Sequence, residues 1–235
     1  PCYNEFENIF ILIKQIKKTF KKHLIIVVDD SSTDEIKQKI TNIKNVKYFK
    51  RKSKSGRGSA VIYGMKHMIK EKNIYQIVEM DTDLSSHPKE LPRNIKFFKK
   101  EKLDLLIMSR YRNGSKIINW PFRRRLFSIL SNKLAYFLLR VKVSDYTMGY
   151  RIYSKKAVKC VIKNCGKIGS GFIVLSEILA ELNYANLKIR DTKTTFINRE
   201  KGSSTVNMRL IYESLIGIFK IYLNINSKKR KNKIN

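Results

Sequence analysis

Apolar positions along the chain change their period from one stretch to the next. Over residues 8–22 they fall at Ile9, Leu12, Ile13, Ile16 and Phe20, a helical spacing. Residues 23–28 form a short β-branched run, which suits a strand buried on both faces. The run ends in Asp29-Asp30-Ser31-Ser32-Thr33-Asp34, where Ser32, Thr33 or Asp34 is expected to cap a following helix. A second short strand is expected over 46–49. The basic loop 52–58 then enters a helix carrying Ala60, Val61, Met65 and Met68. Residues 75–80 are expected to be the central strand, 88–100 a helix opening near a proline, and 103–109 the next strand.

After Gly114 the pattern lengthens. A long helix is expected to about Arg140, with Leu126, Ile129, Leu130, Leu134, Phe137 and Leu138 on its apolar side. A turn and a short strand follow over 144–153, then helices near 154–163 and 171–183, and an edge strand over 187–197. In the amphipathic stretch 210–225, Ile211, Leu215, Ile218, Phe219 and Tyr222 share a face, and 228–233 is basic. Strands alternating with helices predict an α/β fold, a Rossmann-like three-layer sandwich around a mostly parallel central sheet. The expected division is a catalytic domain over 1–205 and an amphipathic helix with a basic tail over 206–235. The sequence opens at Pro1 on what resembles the loop after a strand, so a first strand is expected to precede it.

Charge changes the picture. The 50 lysines and arginines against 19 acidic residues give a net charge of +31. Nucleic acid, an anionic membrane surface or a polyphosphate ligand each suit that balance. The lysines are scattered between apolar positions, as on solvated faces. The three cysteines, Cys2, Cys160 and Cys165, make no disulfide framework, and the Cys160/Cys165 spacing has no companion pair for zinc. A reducing setting is expected. His23, His67 and His87 form no cluster in sequence. No stretch reaches the roughly 18 uninterrupted apolar residues of a membrane span.

The chemistry gathers at strand ends. Ile77-Val78-Glu79-Met80 leads into Asp81-Thr82-Asp83-Leu84-Ser85, two carboxylates that can approach one divalent cation where the chain turns. Hard oxygen ligands suit Mg²⁺ or Mn²⁺, completed by phosphate oxygens and water. Asp29-Asp30 ends a different strand at the same kind of position, and one of these carboxylates is placed to accept hydrogen bonds from a base or ribose. Gly56-Arg57-Gly58 lacks the third glycine of a dinucleotide fingerprint and is read as a tight turn packing a helix on the sheet. Arg110, Arg123, Arg124, Arg125, Arg199 and Lys201 lie in loops or at element ends, where guanidinium forks match phosphate oxygens.

Assembled in order, these stretches resemble the family-2 glycosyltransferases of the GT-A fold. Within them they are most similar to the polyprenyl-phosphate (dolichyl-phosphate) mannosyltransferases. Pro1-Cys2-Tyr3-Asn4-Glu5 resembles P-x-Y-N-E, and the run from Val27 to Asp34 resembles V-V-D-D-x-S-x-D. Gly56-Arg57-Gly58-Ser59-Ala60 resembles G-L-G-x-A, and the run from Met80 to Pro88 resembles M-D-A-D-L-S-H-x-P. Ser109-Arg110-Tyr111, Ser144 to Thr147 with Gly149 to Tyr153, and Phe196 to Arg199 with Gly202-Ser203-Ser204 complete the series.

The resemblance implies a site. Pro1, Tyr3, Glu5, Val28 and Asp30 match positions that hold the guanine nucleotide. Asp81 and Asp83 match metal ligands, with Thr82 beside the nucleotide and Ser85 at a third, variable ligand position. Arg110 and Arg199 match residues at the sugar diphosphate, and Lys201 is expected to supply charge there because Thr205 stands where the family usually has lysine. Arg123, Arg124 and Arg125 fall in the acceptor loop, where a lipid phosphate is caught, and the helix after them resembles one that rests on a membrane.

The implied reaction is metal-dependent, inverting transfer of mannose from GDP-mannose to dolichyl or polyprenyl phosphate. Its product is the lipid-linked donor for protein glycosylation and GPI anchor synthesis. The acceptor is already anionic, so no general base is assigned. Implied partners are the membrane surface, at the cytosolic face of the endoplasmic reticulum in a eukaryote, and a small membrane-anchoring subunit. The alternatives are a glucosyl counterpart using UDP-glucose, another family-2 transferase, an inactive regulatory relative, or a non-catalytic polyanion-binding protein. The aromatic and basic residues form no recognisable nucleic-acid module, so no nucleic-acid partner is expected.

Overall fold

The computed structural model describes residues 1–198 and 208–234. The helices are α1 (Phe6–Thr19), α2 (Ile36–Ile40), α3 (Arg57–Met68), α4 (Leu91–Lys100), α5 (Phe122–Leu139), α6 (Lys155–Asn164), α7 (Ile173–Tyr184) and α8 (Met208–Ile234). The strands are β1 (Ile25–Asp29), β2 (Val46–Lys50), β3 (Gln76–Glu79), β4 (Leu105–Ser109), β5 (Lys116–Ile118), β6 (Arg151–Ser154), β7 (Ile189–Lys193) and β8 (Thr195–Ile197). A 3-10 turn, Pro88–Glu90, leads into α4.

β1 and β2 pair in parallel, Ile25 opposite Val46 through Asp29 opposite Lys50. A four-stranded sheet runs in the order β3-β6-β4-β7. β4 and β7 are parallel, and β6 is antiparallel to both β3 and β4. The expected central strand, β3, therefore lies at the edge of its sheet, with reversed β6 between it and β4. All five residues of β4, Leu-Leu-Ile-Met-Ser, are buried, as a strand covered on both faces requires.

The expected edge strand over 187–197 divides at Thr194. Its hydroxyl donates to Glu90 Oε2 at 2.6 Å, and the next amide, Thr195 N–H, donates to Glu90 Oε1 at 3.0 Å. These bonds turn the chain out of the main sheet, and β8 pairs with β5 instead. β5 carries no sequence signal because it is three residues long and mostly exposed.

Helix α7 is the hub of the helical layer. Nine consecutive residues, Val174 to Leu182, are buried, among them Glu177 and Glu181. Gly166 N–H donates to Glu177 Oε2 at 2.7 Å, and Lys228 of α8 pairs with Glu181 at 2.5 Å. Burial pushes the Glu177 carboxyl above the ordinary carboxylate range. Helix α8 lays Ile218, Ile221 and Ile225 inward, and its backbone comes so close to Ile173 that a Cβ on Gly217 would sit 2.4 Å from that side chain. The opposite face exposes Leu215, Ile216, Phe219 and Leu223, and α5 exposes Phe122, Leu126, Phe127, Leu130 and Phe137. Among the described residues no helix is long and apolar enough to cross a membrane.

Candidate active site

β3 delivers the acidic turn. Leu84, at φ 60°, bends the chain after Asp83, and Ser85 N–H donates back to Asp83 Oδ1 at 3.1 Å. Asp81 Oδ1 accepts from Arg57 Nε at 2.7 Å. Arg57 Nη2 lies 2.6 Å from Glu79 Oε1, and Tyr153 O–H donates to Glu79 Oε2 at 2.6 Å. A chain of contacts thus runs from the core at Tyr153 through Glu79 and Arg57 to Asp81. Burial disfavours the charged guanidinium, but Asp81 and Glu79 outweigh it and raise the Arg57 pKa above its usual value.

The sequence does not single out Arg57, because its loop reads as a packing turn. The available signal was Glu79, a carboxylate inside an apolar strand, which requires a buried cation.

The amino-terminal segment lies beside this turn. Thr82 Oγ1 donates to the Pro1 carbonyl at 2.7 Å, and Cys2 bridges Asp29 in parallel. Cys2 N–H donates to the carbonyl of buried Val28, and Asp30 N–H donates to the Cys2 carbonyl, each at 2.9 Å. Burial pushes the Cys2 thiol up to about 12, so it is no nucleophile. Glu5 Oε2 accepts from Asn8 Nδ2 at 2.6 Å, and the Lys54 ammonium sits 3.6 Å above the Tyr3 ring.

Both aspartates at the end of β1, Asp29 within it and Asp30 just after it, are already bonded. Asp29 accepts from Ser32 N–H at 2.8 Å and from Tyr48 O–H at 2.5 Å. Asp30 Oδ1 accepts from Arg51 Nη1 at 2.8 Å and Ser55 N–H at 3.0 Å, and its Oδ2 accepts from Gly56 N–H at 2.7 Å. Asp30 thus holds the 52–58 loop against the end of β1, a contact that the sequence does not reveal. The expected cap of α2 is also corrected. Asp34 Oδ2 accepts from Phe6 N–H at 3.0 Å, the first residue of α1, and no side chain caps α2.

Just past the end of β4, Arg110 is held by buried Asp145, Nε to Oδ2 and Nη2 to Oδ1 at 2.8 Å each, with Thr147 Oγ1 2.6 Å from Nη2. Its guanidinium stacks on Trp120 at 4.9 Å and Phe196 at 5.5 Å. Burial opposes the Asp145 charge, but Arg110 prevails and takes the carboxyl below its usual value. Arg123, Arg124 and Arg125 fill the first turn of α5, with Arg123 and Arg125 exposed. A helix start with basic side chains suits an anion. Arg199 and Lys201, with Thr205, lie outside the described residues.

The profile of Glycosyl transferase family 2 matches residues 1–162. The chain belongs to that family. As a glycosyltransferase it is similar to a dolichol-phosphate mannosyltransferase of Pyrococcus furiosus, 33% identical over 229 residues, or 94% of this chain. The chain spans 62% of that relative's length. It is 27% identical to an undecaprenyl-phosphate mannosyltransferase of Micrococcus luteus, covering 93% of this chain and 90% of the relative. It is 29% identical to a polyprenol monophosphomannose synthase of Mycolicibacterium smegmatis, covering 93% and 83%. The transferase superposes on glucosyl-3-phosphoglycerate synthase of Mycobacterium tuberculosis, solved with Mn²⁺, UDP-glucose and phosphoglyceric acid. The TM-score is 0.69 at 16% identity, covering 96% of this chain and 77% of that one. That likeness bears out the expected α/β fold, with reversed β6 as the exception to a parallel sheet.

The transferase's acidic turn fits a hard divalent ion. Among the described residues no group of three or more His, Cys, Asp or Glu side chains gathers to hold a metal. The turn supplies two carboxylates, Asp81 and Asp83, with Ser85 beside them. One or two carboxylates are what Mg²⁺ and its like take from a protein when phosphate and water complete the shell.

Proposed function

We propose that this glycosyltransferase moves mannose from GDP-mannose to a polyprenyl phosphate at a membrane surface. The observation that carries the reading is helix α5. It begins with Arg123, Arg124 and Arg125 and continues into an exposed apolar face, with Phe122 76% and Phe137 62% exposed. A phosphate on a long hydrocarbon has that same order of charge and grease. The names of the three relatives, each a mannosyltransferase or phosphomannose synthase on a polyprenol-type lipid, support it.

In this reading Asp81 and Asp83 hold Mg²⁺ or Mn²⁺, with Ser85 as a third oxygen, and the ion neutralises the departing diphosphate. Mn²⁺ beside UDP-glucose in the solved neighbour supports a divalent ion with a nucleotide sugar. Pro1, Tyr3, Glu5, Val28, Asp30 and Thr82 are assigned to the nucleotide. Arg110, fixed by Asp145, is assigned to the diphosphate, and the resemblance assigns Arg199 and Lys201 to the same group. The acceptor phosphate is already an anion near neutral pH, so the protein aligns it with the anomeric carbon and needs no base. One displacement inverts the sugar from an α-linked donor to a β-linked product.

The outer face of α8 and its basic end continue the membrane-facing surface. The test is incubation of the protein with GDP-mannose or UDP-glucose, Mg²⁺ or Mn²⁺, and a polyprenyl phosphate in vesicles. Mannolipid formation is expected. Glucolipid alone reverses the donor assignment, and no lipid-linked sugar from either donor sinks the reading.

A further inference from the structure

Arg57 touches the acidic turn, and the proposed reaction gives it no task. It opens α3, and only 11% of its side chain is exposed. Its neighbours are Glu79 at 2.6 Å, Asp81 at 2.7 Å and the ring of Phe172 at 5.7 Å. Gly149 makes room for it. A Cβ built there would lie 1.9 Å from Arg57 Nη2 and 2.9 Å from Asp81 Oδ2. Arg57 is also fixed from behind, because Glu79 is anchored by fully buried Tyr153.

A guanidinium and a divalent cation compete when they address one carboxylate, since each is drawn to the same oxygens and the two repel each other. Glu79 balances Arg57 in total charge, so the effect on the acidic turn is set by position. It is Arg57 that touches Asp81. We propose that Arg57 is an internal counter-ion of Asp81 that opposes divalent-metal binding until the donor's diphosphate arrives. Without nucleotide, one of the turn's two carboxylates is already neutralised. The diphosphate brings its own negative charges and oxygen ligands and restores the attraction. Metal and donor therefore enter as a pair. This rests on Asp81 and Asp83 being the metal ligands.

The test measures free Mn²⁺ by electron paramagnetic resonance against the whole chain, with and without GDP. In the wild type GDP is expected to tighten Mn²⁺ binding strongly. The double variant Arg57→Leu/Glu79→Gln leaves the net charge unchanged and keeps an acceptor for the Tyr153 hydroxyl. It is expected to bind Mn²⁺ without nucleotide about tenfold more tightly, so that the coupling between Mn²⁺ and GDP falls by about the same factor. Arg57→Lys keeps the positive charge and is expected to retain weak nucleotide-free binding.

Nucleotide-free affinity in the double variant that equals or falls below the wild-type value overturns the counter-ion role. So does tightening in Arg57→Lys as large as in the double variant. Asp83→Ala separates the two readings. If that variant loses Mn²⁺ while the double variant matches wild type, the role of Arg57 fails and the metal site stands. If Asp83→Ala leaves Mn²⁺ binding intact, both fail.

Discussion

The Arg110 guanidinium meets the Asp145 carboxylate edge to edge, with both N···O distances at 2.8 Å and both residues buried. This two-point pair joins the end of β4 to the turn before β6. Asp145→Asn is expected to cost about 3–5 kcal/mol, because it leaves a buried cation uncompensated. Urea unfolding measures it. The folded Asp145 pKa is depressed, so its contribution is full above the unfolded value of 3.8 and is lost as pH falls through the lower folded value. The gap in melting temperature between wild type and variant should therefore hold from pH 7 to about pH 4 and close only in stronger acid.

Asp83→Ala tests the metal-ligand role. Asp83 accepts a hydrogen bond from Ser85 N–H, a contact worth about 1 kcal/mol. Turnover is expected to fall by roughly 10²–10³-fold, the scale for losing a group that stabilises developing charge. Near-ultraviolet circular dichroism should stay unchanged. Activity close to wild type would exclude Asp83 as a ligand.

Gly149→Ala inserts a methyl group where Arg57 and Asp81 meet. Arg57 cannot swing aside without leaving Glu79, so overpacking should cost about 1–3 kcal/mol. Donor affinity should fall as Asp81 shifts, while acceptor KM stays near the wild-type value. Calorimetry and initial rates at varied donor concentration check the two parts.

Replacing Arg123, Arg124 and Arg125 together with Ala should raise the acceptor KM about tenfold, the sum of three solvent-accessible ion pairs to the acceptor phosphate at ~0.5 kcal/mol each. The donor KM should hardly move. Initial rates with each substrate varied in turn distinguish this from a general loss, and an unchanged acceptor KM rejects the acceptor-loop role.

The outward face of α8 is predicted to contact lipid. Phe219 and Leu223 are 53% and 52% exposed, so Phe219→Gln with Leu223→Gln should leave thermal stability nearly unchanged. Sedimentation with vesicles containing anionic lipid should drop markedly. Equal sedimentation of variant and wild type would place the contact elsewhere.

Periodicity found the long elements because their burial follows their sequence. β1, β4, α1 and α5 lie where the apolar runs put them. β5 was invisible because three residues with one half-buried side chain leave no pattern. The break at Thr194 was invisible because its cause, Glu90, is distant in sequence. In the candidate site, the acidic turn was legible from composition and position. The loop contacts of Asp30 were not, because its partners Arg51, Ser55 and Gly56 come from the next loop over. Sequence order names a carboxylate, and only packing decides which donors reach it first.

The line from Tyr153 through Glu79 and Arg57 to Asp81 has a consequence for inheritance. A buried carboxylate without its cation is costly, and so is the cation without its carboxylate. Neither Glu79 nor Arg57 can change first without a penalty, so the two positions should drift together across descendants of a common ancestor. Relatives with an aliphatic residue in place of Arg57 should carry an uncharged residue in place of Glu79. An alignment in which the two columns vary independently would mean that the cleft tolerates either charge alone.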